Sequence, residues 1–146
     1  MTPSEATNAA SRREWRDLGF FYDRNDSARE WRLVGSLDGL RVFVELLQTY
    51  SRNPRHAGQS EHDHYGPYMY LKVMTWPDPG INSNAIYGTL DDLKRLARLI
   101  AQRLQHATPG DTCAVGKAYE PGCEYELVLE IRDAGFDPPE ADPCLC

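Results

Sequence analysis

The sequence predicts an α+β fold, a two-layer sandwich in which a mainly antiparallel sheet carries two helices on one face. Three observations predict it. Two amphipathic segments with helical spacing begin at Ser36 and Thr89. Short strands with alternating apolar residues flank both. A pattern also recurs, Gly-[Ser/Thr]-Leu-Asp-x-Leu-basic, at Gly35-Ser-Leu-Asp-Gly-Leu-Arg41 and again at Gly88-Thr-Leu-Asp-Asp-Leu-Lys94. Two strand–helix–strand units laid side by side give a ferredoxin-like arrangement with duplicated βαβ units.

Taken in chain order, residues 1–13 are polar without periodicity and read as a mobile arm, followed by a single α+β domain over 14–135. Trp15 to Asp23 suggests a first short strand, and Asn25-Asp26-Ser27 a turn. Glu30 to Val34 reads as a strand. Ser36 is placed as a helix N-cap, with Asp38 in the first turn, where the helix dipole favours an acid. Leu37, Leu40, Val44 and Leu47 then recur on one face, widened by Phe43 and Tyr50. Pro54 ends this helix near Arg52, because it disfavours helical geometry at Asn53.

Residues 53–67 read as a polar loop. Tyr68 to Trp76 is the clearest strand, with Met69, Leu71 and Val73 on one side and Tyr70, Lys72, Met74 and Trp76 on the other. Pro77 to Gly80 is a turn, and Asn82 to Tyr87 a weaker strand. Thr89 caps the second helix with Asp92 at the capping-box position, and Leu90, Leu93, Ala97, Ile100 and Leu104 form its buried face. Thr112 to Tyr119 and Tyr125 to Arg132 read as a final hairpin around Glu120-Pro-Gly122. In the last strand Tyr125, Leu127, Leu129 and Ile131 alternate with Glu124, Glu126 and Glu130, one face buried and the other wet. Residues 136–146, rich in proline and acid, read as a disordered tail.

The chain has 146 residues, enough to bury a core without metals or disulfides. Its 16 Lys+Arg stand against 22 Asp+Glu, a net charge of −6. Residues 1–110 are close to neutral. The last quarter holds Lys117 and Arg132 against nine acids, Asp111, Glu120, Glu124, Glu126, Glu130, Asp133, Asp137, Glu140 and Asp142, and so supplies the whole excess. This balance argues against nucleic-acid or membrane binding and marks the last strand and tail as either a solvated face or a docking face for a basic partner. No apolar run approaches the roughly 20 residues that span a bilayer, and no secretory signal is visible; a cytoplasmic location is expected.

Several residue groups carry candidate chemistry. Glu61-His62-Asp63-His64-Tyr65 places two histidines two residues apart, so that in extended geometry both rings face the same way. That pattern suits an ordinary polar loop leading into a strand, contact with a partner or ligand, or a metal or acid–base work. It lacks a third and fourth ligand at recognisable spacing. Lys94, Arg95, Arg98 and Arg103 read as the solvated face of the second helix. Cys113, Cys123, Cys144 and Cys146 match no common zinc framework, and free thiols are expected. No cofactor or metal site is called for.

The stretch Ser60-Glu-His-Asp-His-Tyr-Gly-Pro-Tyr-Met-Tyr-Leu-Lys72, with Ile86-Tyr-Gly-Thr-Leu-Asp-Asp-Leu-Lys-Arg-Leu-Ala97, resembles small uncharacterised bacterial proteins, some of them grouped with the immunity proteins of polymorphic toxin systems. The resemblance covers residues 30–105. It implies a non-enzymatic α+β protein that neutralises a cognate toxin by direct association, with no family residue to carry over. The expected partner is a protein, a basic toxin domain. Its expected contacts are Glu61, His62, Asp63, His64 and Tyr65, together with Glu124, Glu126 and Glu130. The alternatives are a metal-dependent or acid–base enzyme using His62 and His64, and a small ligand-binding regulatory module. The oligomeric state is left open.

Overall fold

The computed structural model describes residues 2–145. Among them are four helices, α1 (Pro3–Leu18), α2 (Leu37–Arg52), α3 (Leu90–Gln105) and α4 (Gly116–Tyr119). The eight strands are β1 (Phe21–Asn25), β2 (Glu30–Gly35), β3 (His62–Tyr65), β4 (Leu71–Thr75), β5 (Gly80–Ile81), β6 (Ile86–Gly88), β7 (Thr112–Ala114) and β8 (Glu126–Ile131). The protein is α+β, but its strands form two mixed four-stranded sheets rather than one mainly antiparallel sheet. Sheet A runs β1-β2-β8-β7 and sheet B runs β3-β4-β6-β5.

The two helix starts behave as their residues dictate. The Ser36 hydroxyl accepts from the Gly39 amide at 3.0 Å. At Thr89 the box is complete, with Asp92 N–H donating to the Thr89 hydroxyl and Thr89 N–H to the Asp92 carboxylate, both at 3.0 Å. Behind these caps the apolar stripes of α2 and α3 are buried and pack against each other. α2 also rests on β2 and β8, and α3 on β6.

The repeated sequence pattern marks a structural repeat larger than the expected strand–helix–strand unit. Each half of the chain is a hairpin, a helix and a second hairpin: β1β2-α2-β3β4, then β5β6-α3-β7β8. The hairpins exchange between sheets. Sheet A joins the first hairpin of the first half to the second hairpin of the second half, through a parallel β2–β8 pair. Sheet B joins the other two through a parallel β4–β6 pair. The correspondence reaches individual bonds. Arg132 N–H donates to Gly35 O at 2.8 Å, and Trp76 N–H to Gly88 O at 2.9 Å. At the opposite edges, Ile131 N–H donates to Asp111 O at 2.9 Å and Thr75 N–H to Glu61 O at 2.8 Å.

Both ends of the chain depart from expectation. Residues 3–18, placed by the sequence reading in a mobile arm and the start of a strand, form helix α1. Thr2 caps it in a full box with Glu5, Pro3 fills the first turn, and Gly19 closes it with φ +94°. Its one fully buried side chain is Trp15, lodged 4.8 Å from the ring of Phe21 and 5.0 Å from that of Tyr22. The tail expected to be disordered forms two short 3-10 turns, Pro138–Ala141 and Pro143–Leu145. The first packs on α1, β1 and β2, with Pro138 and Pro139 buried. A buried carboxylate clasps the two ends. Asp142, 2% exposed, accepts from the Trp15 indole N–H at 2.9 Å and from the Tyr68 hydroxyl at 2.5 Å.

Smaller corrections follow from the same packing. The loop over 53–67 contains a 3-10 turn, Pro54–Ala57, and strand β3. Thr112 to Tyr119 is a three-residue strand followed by the short helix α4. β7 and β8 still pair antiparallel, as the expected hairpin does. Cys113, Cys123 and Cys144 carry free thiols, with burial pushing the first two up in pKa. Cys146 and Met1 lie outside the described residues.

Candidate partner-binding site

Strand β3 forms one edge of sheet B, paired only with β4. Its alternation sends His62 and His64 to the exposed side and Asp63 and Tyr65 to the half-buried side. The two histidine rings lie together, centroids 5.1 Å apart and planes at 90°. Each is held by a local bond between Nδ1 and a main-chain carbonyl, Ser60 O for His62 and Met69 O for His64, both at 2.9 Å. Among the described residues, no group of three or more His, Cys, Asp or Glu side chains comes together in a way that would hold a metal ion.

On the inner side, Asp63 faces the His56 ring, Oδ2 to Nε2 at 3.6 Å. His56 itself stacks on Tyr50, ring centroids 4.0 Å apart. The Tyr50 hydroxyl donates to Glu61 O at 2.6 Å and lies 2.8 Å from the Thr75 hydroxyl. Glu61 is thus anchored through its backbone while its side chain is exposed. Burial, reinforced by Asp63 and Tyr50, pushes the Tyr65 phenol well above its ordinary pKa. Tyr65 is therefore a neutral packing group at physiological pH.

The second predicted group is divided. Glu124 is exposed. Glu126 turns back on its own fold, its carboxylate accepting from the Gly116 and Leu127 amides and so holding the start of α4. Glu130 pairs with Arg32 and with Arg132, each at 3.2 Å. Arg32 in turn forms a two-pronged pair with Asp23 at 2.7 and 3.0 Å, and that bond does most to hold its guanidinium in the charged form. The tail acids are engaged as well. Asp137 receives two bonds from Arg16, and Glu140 accepts from the Asp137 amide.

The structure also separates the two predicted groups. Tyr125 N–H donates to Ile81 O, which seats neighbouring Glu124 beside β5. β5 and β3 are the opposite edges of sheet B, three strand spacings or about 14 Å apart. Between them the outward side of the sheet presents Lys72, Met74 and Tyr87.

The sequence reading placed Tyr68 to Trp76 in one strand and took its aromatics for core and sheet-face packing rather than a binding platform. The large exposed apolar side chains among the described residues are Tyr68, Met69, Tyr70 and Trp76, at 37, 55, 65 and 37% exposure. The first three sit on the turn from β3 to β4, and Trp76 directly follows β4. The turn is built rigidly. The Tyr22 hydroxyl donates to Tyr65 O at 2.7 Å and accepts from the Tyr70 amide at 3.2 Å. Gly66 has φ +85°, and any Cβ there would collide with the Tyr22 ring. Met69 has φ +60°, an uncommon conformation for a residue with a side chain. An aromatic cleft of about 380 Å³ opens beside it, walled by Tyr22, Trp31, Tyr68 and Tyr70, with Arg24 5.7 Å above the Trp31 ring.

No family model, curated protein or solved structure matches this chain. No helix among the described residues is long and apolar enough to cross a membrane. The signal that would have exposed the site in the sequence is the run Pro67-Tyr-Met-Tyr70, three bulky apolar residues after a Gly-Pro turn. Read as the start of a strand, that run hides the turn that holds them outward.

Proposed function

We propose that the chain is a non-enzymatic binding protein that associates directly with a protein partner, in the manner of a cytoplasmic bacterial immunity protein that occludes a toxin domain. One observation carries this reading, the exposure of Met69 and Tyr70, beside the outer edge of Tyr68, on a turn tied down by the Tyr22 hydroxyl. Soluble chains seldom hold several large apolar side chains outward side by side unless something docks there. Aromatic anchors on a preformed backbone are what strong interfaces use, because little ordering entropy is lost on association.

The neighbouring edge strand supports the same reading. His62 and His64 lie within reach of a partner seated on the turn, and the side chain of Glu61 projects at the start of the strand. The expected assay is growth of bacteria expressing the product of the adjacent gene, with and without this chain. Rescue of growth, together with a complex that survives gel filtration, is the expected result. An adjacent product that is harmless and does not bind would sink the proposal.

A further inference from the structure

The β3–β4 turn does not stand alone on the surface. α1 runs beside it, and between the two lies a groove of about 450 Å³. Its apolar side is Leu18, Pro67 and Met69, and its polar side is Glu14 and Asp17. Both acids are exposed, while Arg16 between them turns away to pair with Asp137. An apolar floor beside two open carboxylates matches a particular ligand chemistry: a long aliphatic stem ending in a cation.

We infer that this groove is where a basic partner segment docks, with a Lys or Arg stem lying on Met69 and Leu18 and its charged head at Glu14 and Asp17. This rests on the proposed function and gives the partner its chemistry and its place. It differs from the sequence expectation, which put the basic partner on Glu61 to Tyr65 and on Glu124, Glu126 and Glu130. There Glu126 and Glu130 are occupied within the fold, whereas Glu14 and Asp17 face open solvent. The conformation of Met69 fits the inference. Glycine would adopt φ +60° without penalty, so a methionine held there presents its side chain at the expense of stability.

The test uses the full chain, isotopically labelled, titrated with a short amphipathic Leu/Lys peptide and with its Leu/Glu counterpart. Amide shifts are expected to concentrate on residues 14–18 and 66–70, for the Leu/Lys peptide only, and to weaken as salt is raised. Two variants sharpen the outcome. Glu14→Lys with Asp17→Lys should weaken peptide binding by about tenfold without moving the melting temperature. Met69→Gly should also weaken binding by about tenfold while the melting temperature holds or rises. Shifts on β8 or the tail, equal binding of both peptides, or unchanged affinity in both variants would overturn the assignment. None of those results touches the growth assay, so a failed groove and a failed function remain distinguishable.

Discussion

Asp142 shows how one side chain can join distant parts of a chain. Burial alone would push its carboxyl up. The hydrogen bonds from Tyr68, Trp15 and the Cys144 amide outweigh that, and its pKa falls below the ordinary carboxylate value. The contribution of this lowered group is therefore fully present above the ordinary aspartate value, near pH 4. It is lost as the pH falls through the lower folded value. Thermal melts across a pH series should show Asp142→Asn with a shallower acid limb than the parent protein. Asp142→Ala should lower stability by about 3 kcal/mol at neutral pH, because the buried Trp15 indole N–H loses its acceptor. A variant as stable as the parent would mean that the Asp142 clasp adds nothing to the packing and the Arg16–Asp137 pair that also join α1 to the tail.

At the scale of elements, the one non-conservative difference between the two repeated helix starts has a steric cause. The variable position is Gly39 in one and Asp92 in the other. A Cβ at Gly39 would fall against the Gly19 carbonyl oxygen, where α1 ends on α2. α3 has no such neighbour, and Asp92 is free to complete its capping box. Gly39→Ala should therefore destabilise by about 2 kcal/mol, the overpacking exceeding the roughly 1 kcal/mol that alanine gains as a helix former. Gly135→Ala, with no heavy atom within 4 Å of the added carbon, is the control and should change little.

The same helices show what was legible in the sequence. α2 and α3 announced themselves through a hydroxyl cap, a fixed stripe and a stop, all local signals. α1 carried a local signal as well, the box Thr2-Pro-Ser-Glu5, but its body is polar and buries only Trp15 completely, so periodicity was silent. Half-buried Asp63 and Tyr65 gave β3 a weak alternation among polar neighbours. β5 has two residues and exists only because β6 lies beside it. The turn at Tyr68 to Tyr70 was hidden by its aromatic composition, which also builds strands. Its geometry is imposed from Tyr22 in the other sheet, which local spacing cannot reveal.

For the whole molecule, the consequence of the exchanged hairpins is mutual dependence. Neither half of the chain owns a complete sheet. Pieces spanning 1–78 and 79–146, expressed separately, should each lack a cooperative melting transition by circular dichroism, and mixing them should restore one. A cooperative transition in either piece alone would show that a single repeat is stable by itself and that the halves do not depend on each other. Acidic charge is distributed on the same principle. Within the last quarter, Asp137, Glu130 and Asp142 are drawn into the fold by Arg16, by Arg32 and Arg132, and by the Trp15 indole.

The pairing of β2 with β8 also sets a timetable for synthesis. Sheet B uses only residues 62–88 and can close while the ribosome is still building α3. Sheet A cannot close until Ile131 has emerged to meet Gly35. For the translation time of almost a hundred residues, Trp31, Leu33 and Val34 wait on a hairpin without their partner strand. A nascent chain stalled before β8 would be a ready substrate for chaperones and proteases. Once residues 126–142 have emerged, β8 covers that hairpin and Asp142 accepts from Trp15.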